Sequence, residues 1–280
     1  MSATPLRVVV LTSTGRYGVE VLGALRAHGV APHATLVQTR PDLADCFRRR
    51  SRVGRAAELP AAAARWLWRR LRPRLLRDLR PYRPLTVTGV AGSSRLGRDL
   101  ARLAPDLLVL AGCGIVPPEQ LAIPRLGTVN AHPGLLPWVR GNGVVAHALV
   151  RGVAVGASCH LVDRGIDTGP LVRRRLLAVD ATHASLRAVN GAATVLAAQL
   201  LAEVVAEIVR HRALPTAVAQ TDRWPLCRWS SAVEAGAEAA VQAGRARALF
   251  DAWRVHCTDP RSLDLPTPWP HPPPVPGRLE

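Results

Sequence analysis

The chain contains no lysine. All 37 of its basic residues are arginine, set against 20 aspartates and glutamates, which leaves a formal charge of +17. A charge of that sign suits an anionic partner, either a nucleic acid or a nucleotide-linked small molecule. Alanine, glycine, proline and arginine are all abundant, however, so a GC-rich coding bias accounts for the missing lysine equally well. Cysteine is sparse. Cys46, Cys113, Cys159, Cys227 and Cys257 lie far apart, are odd in number and form no C-x-x-C pair. That speaks against a zinc site and a disulfide framework, and for a reducing, cytoplasmic compartment. No run reaches the roughly 18 apolar residues of a membrane span. The apolar run at 8–11 is too short for a signal peptide. Aromatics make up only 4% of the chain, so alanine, valine and leucine must do most of the packing. There are no internal repeats.

Apolar residues amount to 48% of 280, enough to bury one large core. Residues 7–11 read as a buried strand, 12–18 as a turn, 19–28 as a helix with Val19, Leu22 and Leu25 on one side, and 34–39 as a second strand. This βαβ-like opening predicts an α/β fold with a mostly parallel sheet and helices on its faces. Residues 46–83 interrupt the pattern with thirteen arginines against Glu58 and Asp78. Trp66, Leu67 and Leu71 fall on one side of a helix that Pro73 ends or kinks. The segment reads as a basic amphipathic insertion, either solvated or binding an acidic partner. Alternation then resumes: strands at 85–90, 107–111, 128–131, 157–162 and 171–179, and helices at 93–103, 144–151 and 184–211. Residues 231–255 are mostly helical, and 266–277 are proline-rich and expected to be extended. The expected organisation is a catalytic domain over 1–223, a short helical extension over 224–260 and a flexible proline-rich tail over 261–280.

Three stretches carry chemistry. In Asn130-Ala131-His132-Pro133-Gly134-Leu135-Leu136-Pro137, the asparagine and histidine are two apart in an extended chain and point to one face. They stand at the carboxyl end of a strand, where open parallel sheets bind ligands. An asparagine amide can donate to a developing oxyanion, and a histidine can exchange a proton near neutrality. In Asp163-Arg164-Gly165-Ile166-Asp167-Thr168-Gly169-Pro170, glycines bracket a carboxylate that can pair with His132 and raise its basicity. In Leu110-Ala111-Gly112-Cys113-Gly114-Ile115-Val116-Pro117, a strand ends in a small-residue turn suited to backbone hydrogen bonds with a flat heterocycle. His147, on a helix, and His160, on a strand, read as structural residues.

Taken in order, N-A-H-P-G-L-L-P, W-V-R-G-N-G and V-D-R-G-I-D-T-G-P resemble the formyltetrahydrofolate-dependent formyltransferase family over roughly residues 5–220, most strongly over 105–180. The resemblance implies a Rossmann-like domain. It also implies that Asn130, His132 and Asp167 are catalytic, and that Gly112, Cys113, Gly114, Ile115, Val116, Asp163, Gly165 and Ile166 hold the folate. The donor would be 10-formyltetrahydrofolate, attacked directly by an amine. Asn130 and protonated His132 would stabilise the oxyanion, with Asp167 supporting the histidine's charge. The implied mechanism needs no metal and no cysteine nucleophile, and Cys113 reads as a packing residue. Arg16, Tyr17, Trp138 and Arg140 are candidates for the acceptor pocket. Arg140 either contacts an anionic group or lies in solvent.

The acceptor is expected to be a small-molecule amine, such as a nucleotide-linked amino sugar. Glycinamide ribonucleotide formyltransferases resemble one another in a Gly-Ser-Asn type turn after the first strand, whereas Thr12-Ser13-Thr14-Gly15-Arg16-Tyr17-Gly18 stands here. Members acting on methionyl-tRNA normally add a C-terminal β-barrel, against which the helical and proline-rich pattern after Trp224 counts. The basic segment 46–83 counts in favour of tRNA. Hydrolases of the family normally carry a domain before the first strand, which here begins near residue 7. A non-catalytic RNA- or partner-binding relative is the remaining alternative.

Overall fold

The computed structural model describes residues 4–38, 77–82, 84–220 and 224–267. Its central strands form on short, mostly apolar runs. β1 (Val8–Thr12), β2 (Ala34–Gln38) and β4 (Leu107–Ala111) are buried at every position, the pattern of parallel strands covered on both faces. With β3 (Leu85–Thr88) and β5 (Gly127–His132) they pair in parallel, in the order β3-β2-β1-β4-β5. The sheet then turns antiparallel through β7 (Gly156–Leu161), β8 (Leu171–Leu176) and the two-residue β10 (Asp264–Leu265), for eight strands in all. β6 (Arg140–Gly141) and β9 (Leu226–Cys227) form a separate parallel ladder.

Helices cover both faces. On one, α1 (Arg16–Ala27) and α5 (Leu186–His211) bury Val21, Leu22, Leu25, Leu201, Val205 and neighbouring residues against β1, β4, β5 and β7. By length and composition α5 would pass for a membrane span, yet it packs here as a core helix along α1 and the sheet. On the other face, α2 (Ser94–Leu103) presents Leu96 and Leu100 to β1, β2 and β4. Its N-terminus is capped by the Ser93 hydroxyl, which accepts from the Leu96 N–H. The short α3 (Pro118–Leu121) follows β4. A third apolar cluster joins α4 (Val144–Arg151) to α6 (Ser231–Gln242) and α7 (Arg245–Arg254), with Trp138 and Trp253 edge to face at 5.3 Å.

The expected α/β sheet with helices on both faces is present. α1 begins at Arg16, earlier than the apolar spacing indicated, so the turn after β1 is short. The stretch 231–255 is two helices, parted at Gly244, whose φ of +76° breaks the run. Of the basic segment 46–83, the 3₁₀ turn Arg77–Tyr82 is described. The rest, including Cys46 and the Trp66, Leu67, Leu71 pattern, lies outside the described residues, as do 268–280. The boundary expected at 261 falls inside packed structure. Leu265 is buried, and Asp264 pairs with Arg175 at 2.6 Å.

Candidate functional site

β1 and β4 are neighbours whose following chains leave in opposite directions along the sheet, the crevice where such folds bind ligands. The cavity there has a volume of about 620 Å³. β5 sends Asn130 and His132 into it from one face. The antiparallel strand β7 places His160 directly opposite Asn130 in register, so two strands deliver three polar side chains to one point. The loop from β7 to β8 adds Asp167, whose Oδ2 lies 3.5 Å from His132 Nδ1 and whose Oδ1 lies 3.7 Å from His160 Nε2. The Gly141 N–H, at the end of the short β6, donates to Oδ2 at 2.9 Å.

The carbonyl neighbours settle the tautomers. His132 Nε2 meets the Val139 carbonyl at 3.0 Å. A carbonyl only accepts, so Nε2 carries the hydrogen and Nδ1 is left facing Asp167. His160 Nδ1 meets the Leu161 carbonyl at 2.9 Å, which leaves Nε2 bare. Asn130 Nδ2, at 3.4 Å, donates to that nitrogen. One amide hydrogen of Asn130 is thus held by His160, and the other is free for an oxyanion. Burial holds both histidines below their ordinary value of 6.5, and Asp167 partly offsets it at each. Burial therefore disfavours the charged ring of His132, and its Nδ1 can take up a proton. Ser158 fixes the loop after His132. Its hydroxyl donates to the Gly134 carbonyl and accepts the Leu136 N–H, each at 2.9 Å.

All eight residues expected to hold the folate line this cavity. Gly112 has a φ of +72°, and a Cβ there would lie 3.2 Å from the Tyr17 ring, so glycine lets the loop leave β4. Gln38, at the end of β2, accepts the Gly114 N–H at 3.1 Å and steadies the same loop. Ile115 is 72% exposed and Ile166 38%, which gives the two loops apolar surface for a flat ring. Asp163 shapes its own loop, accepting from the Gly165 N–H and the Thr168 hydroxyl at 2.9 and 2.7 Å. Burial pushes the Cys113 thiol up to about 12, so it stays protonated and unreactive.

The four acceptor candidates divide. Tyr17 lines the cavity, its hydroxyl donating to the Ala131 carbonyl at 2.8 Å. Arg16 is exposed and paired with Glu20 at 3.0 Å. Trp138, expected at the pocket, is instead buried in the third apolar cluster beneath the Arg174 guanidinium, because α7 supplies Trp253 as its partner. Arg140 turns its guanidinium to the Trp224 carbonyl at 2.7 Å and braces β6. His147 bonds the Arg228 carbonyl at 2.8 Å, a structural role as read. His160, read the same way, belongs to the site. The signal was its offset of seven from Asp167, which places both at one end of β7. Asn142, within W-V-R-G-N-G but assigned no role from it, also lines the cavity, as do Asn190, Thr194 and Arg228, which stand in no motif.

A family model described as formyl transferase matches residues 6–205. The chain is 31% identical over 180 residues to a methionyl-tRNA formyltransferase of Pseudomonas syringae pv. syringae, covering 63% of this chain and 50% of that protein. To a methionyl-tRNA formyltransferase of Nitrosococcus oceani it is 42% identical over 93 residues, 32% of this chain and 28% of that one. It therefore spans half or less of the length of these curated relatives. Among solved structures, a sugar N-formyltransferase from Shewanella sp. FDAARGOS_354 superposes with a TM-score of 0.53 at 16% identity, over 84% of this chain and 87% of that one. A phosphoribosylglycinamide formyltransferase from Anaplasma phagocytophilum gives 0.51 at 21% identity, over 73% and 88%. At those identities the structural likeness is one of fold.

Proposed function

This chain belongs to the formyl transferase family, and on that premise we propose that it moves a formyl group from 10-formyltetrahydrofolate to the amine of a small-molecule acceptor. The observation that carries the reading is the convergence of Asn130, His132 and Asp167 on one cavity between the two loops suited to a flat ring. The amine nitrogen attacks the formyl carbon. The oxyanion takes the free N–H of Asn130. Neutral His132 accepts the amine proton at Nδ1, and the Asp167 carboxylate stabilises the imidazolium so formed. The bond from carbon to N10 of the folate then breaks, His132 returns the proton to that nitrogen, and a formamide and tetrahydrofolate leave.

A cavity of about 620 Å³ falls within the roughly 300–1,000 Å³ typical of small-molecule sites. The helical character of α6 and α7 supports a small acceptor, a nucleotide-linked amino sugar being the leading case. Four free cysteines among the described residues support a reducing, cytoplasmic setting. One finding favours methionyl-tRNA as acceptor instead, since the curated relatives above carry that activity in their names.

The test incubates the protein with 10-formyltetrahydrofolate and, separately, nucleotide amino sugars, charged initiator tRNA or buffer, and follows tetrahydrofolate release. Release with an amino sugar is expected, falling roughly 10²–10⁴-fold in His132→Ala and Asp167→Asn while donor binding survives. Release only with tRNA establishes the second reading, and release in buffer alone makes the protein a hydrolase. Full activity in both variants rules out the assigned roles.

A further inference from the structure

The Asp167 carboxylate is aimed by its own backbone. Asp167 has a φ of +54°, a left-handed conformation uncommon outside glycine, which aspartate adopts more readily than most residues and which its surroundings can hold in place. The carbonyls of Asp167 and Gly169 converge on one side chain, Gln220, whose Nε2 lies 3.1 Å from the first and 2.7 Å from the second. Both partners only accept, so the amide nitrogen must face them and both its hydrogens are committed. Gln220 is itself anchored to the far end of the loop. Two residues before it, Val218 exchanges both N–H···O bonds with Leu171, at 2.7 and 2.8 Å. Gly169 packs directly against β7: a Cβ there would lie 1.8 Å from the Leu161 carbonyl, so only glycine fits at this end of the loop. The loop is thus tied at its start by Asp163, through the Gly165 N–H and the Thr168 hydroxyl, and at its end by Gln220.

We propose that Gln220 is a positioning residue for transfer: by holding the Asp167 and Gly169 carbonyls it fixes the left-handed turn that aims the Asp167 carboxylate between His132 and His160. The proposal rests on the catalytic reading of Asp167. It concerns a side chain beyond the family-matched region 6–205 that contacts the loop's backbone.

Gln220→Glu keeps the length but sets acceptors against acceptors, and Gln220→Met removes the donors without adding charge. Each is compared with wild type and with Asp167→Asn for kcat, for the donor KM, for the pH profile and for thermal unfolding. A carboxylate displaced by about 1 Å predicts a kcat loss of about 10²-fold with the donor KM unchanged. The acid limb of the profile moves to lower pH, because His132 loses the charge that raises its pKa. The unfolding midpoint falls only by the few degrees that two lost hydrogen bonds imply, with folding otherwise intact. A readout without acceptor is NMR of the His132 and His160 ring protons during acidification, in which both titration midpoints fall in Gln220→Met. Wild-type kcat and midpoints in Gln220→Met, with Asp167→Asn inactive, overturn the proposal while leaving the catalytic reading intact. Loss of folding in both Gln220 variants also overturns it, since a positioning role leaves the fold standing. An active Asp167→Asn removes the catalytic reading itself, and this proposal with it.

Discussion

His132 and His160 reach one carboxylate from adjacent strands, and the burial that lowers the pKa of both rings costs stability in acid. Both rings lie below the ordinary value of 6.5 because they are buried, with Asp167 opposing that effect at each. Unfolding returns them to water, where they bind a proton at the ordinary value. Between 6.5 and the depressed folded values, the unfolded chain holds more protons than the native one. Stability therefore rises with pH across that window and is lost as the pH falls through it. The thermal unfolding midpoint should drop as the pH is lowered below 6.5 and level off once the folded rings protonate. The double variant His132→Gln, His160→Gln should lose that part of the curve. An identical drop in the double variant would place the acid sensitivity elsewhere. On the proposed role of His132, the same depression moves the acid limb of the transfer profile toward lower pH than an ordinary histidine would give.

At the scale of elements, what could be read from the sequence tracks periodicity. β1, β4 and α2 are legible because a five-residue, mostly apolar run bounded by turn residues is too short for a helix, and leucines four apart fall on one helix face. Asn130 and His132 were legible for the same reason, being two apart at a strand end. The ladders β6, β9 and β10 were not, since two residues carry no period and their partners are distant in sequence. Trp138 was misplaced because its burial depends on Trp253, and Gln220 was invisible because two backbone carbonyls select it. β10 supplies the test at this scale. It buries Leu265, gives Asp264 to Arg175, and brings the Pro266 carbonyl to the buried guanidinium of Arg174. A chain ending at Ser262 loses all three. Against one ending at Thr267 it should be less stable by roughly 2–5 kcal/mol, the sum of one buried leucine and charge-assisted hydrogen bonds. Equal denaturation midpoints for the two would show that the edge strand adds nothing.

Across the whole molecule, charge is distributed unevenly, and that distribution bears on the acceptor. The segment 46–83 holds thirteen arginines against two acids, an excess of eleven in a chain whose total is +17. Elsewhere many surface arginines already have a carboxylate: Arg16 with Glu20, Arg125 with Asp106, Arg247 and Arg254 with Asp251. A polyanion would meet that one concentrated source of field, and each phosphate it neutralised would release counterions, making affinity fall steeply with salt. A small amine that enters the cavity, whose lining among the described residues has only Arg164 and Arg228 as cations, meets at most two and releases few. For the small-molecule reading, kcat/KM for the acceptor should change by no more than a few fold between about 50 and 200 mM salt, whereas a tRNA held by several phosphates would lose on the order of 10³-fold. The measurement is the transfer rate at limiting acceptor across that range, with the donor saturating so that its own anionic charge drops out. A steep slope would make the arginine-rich segment part of acceptor recognition and shift the assignment to the tRNA reading. A flat one leaves its charge outside the transfer step.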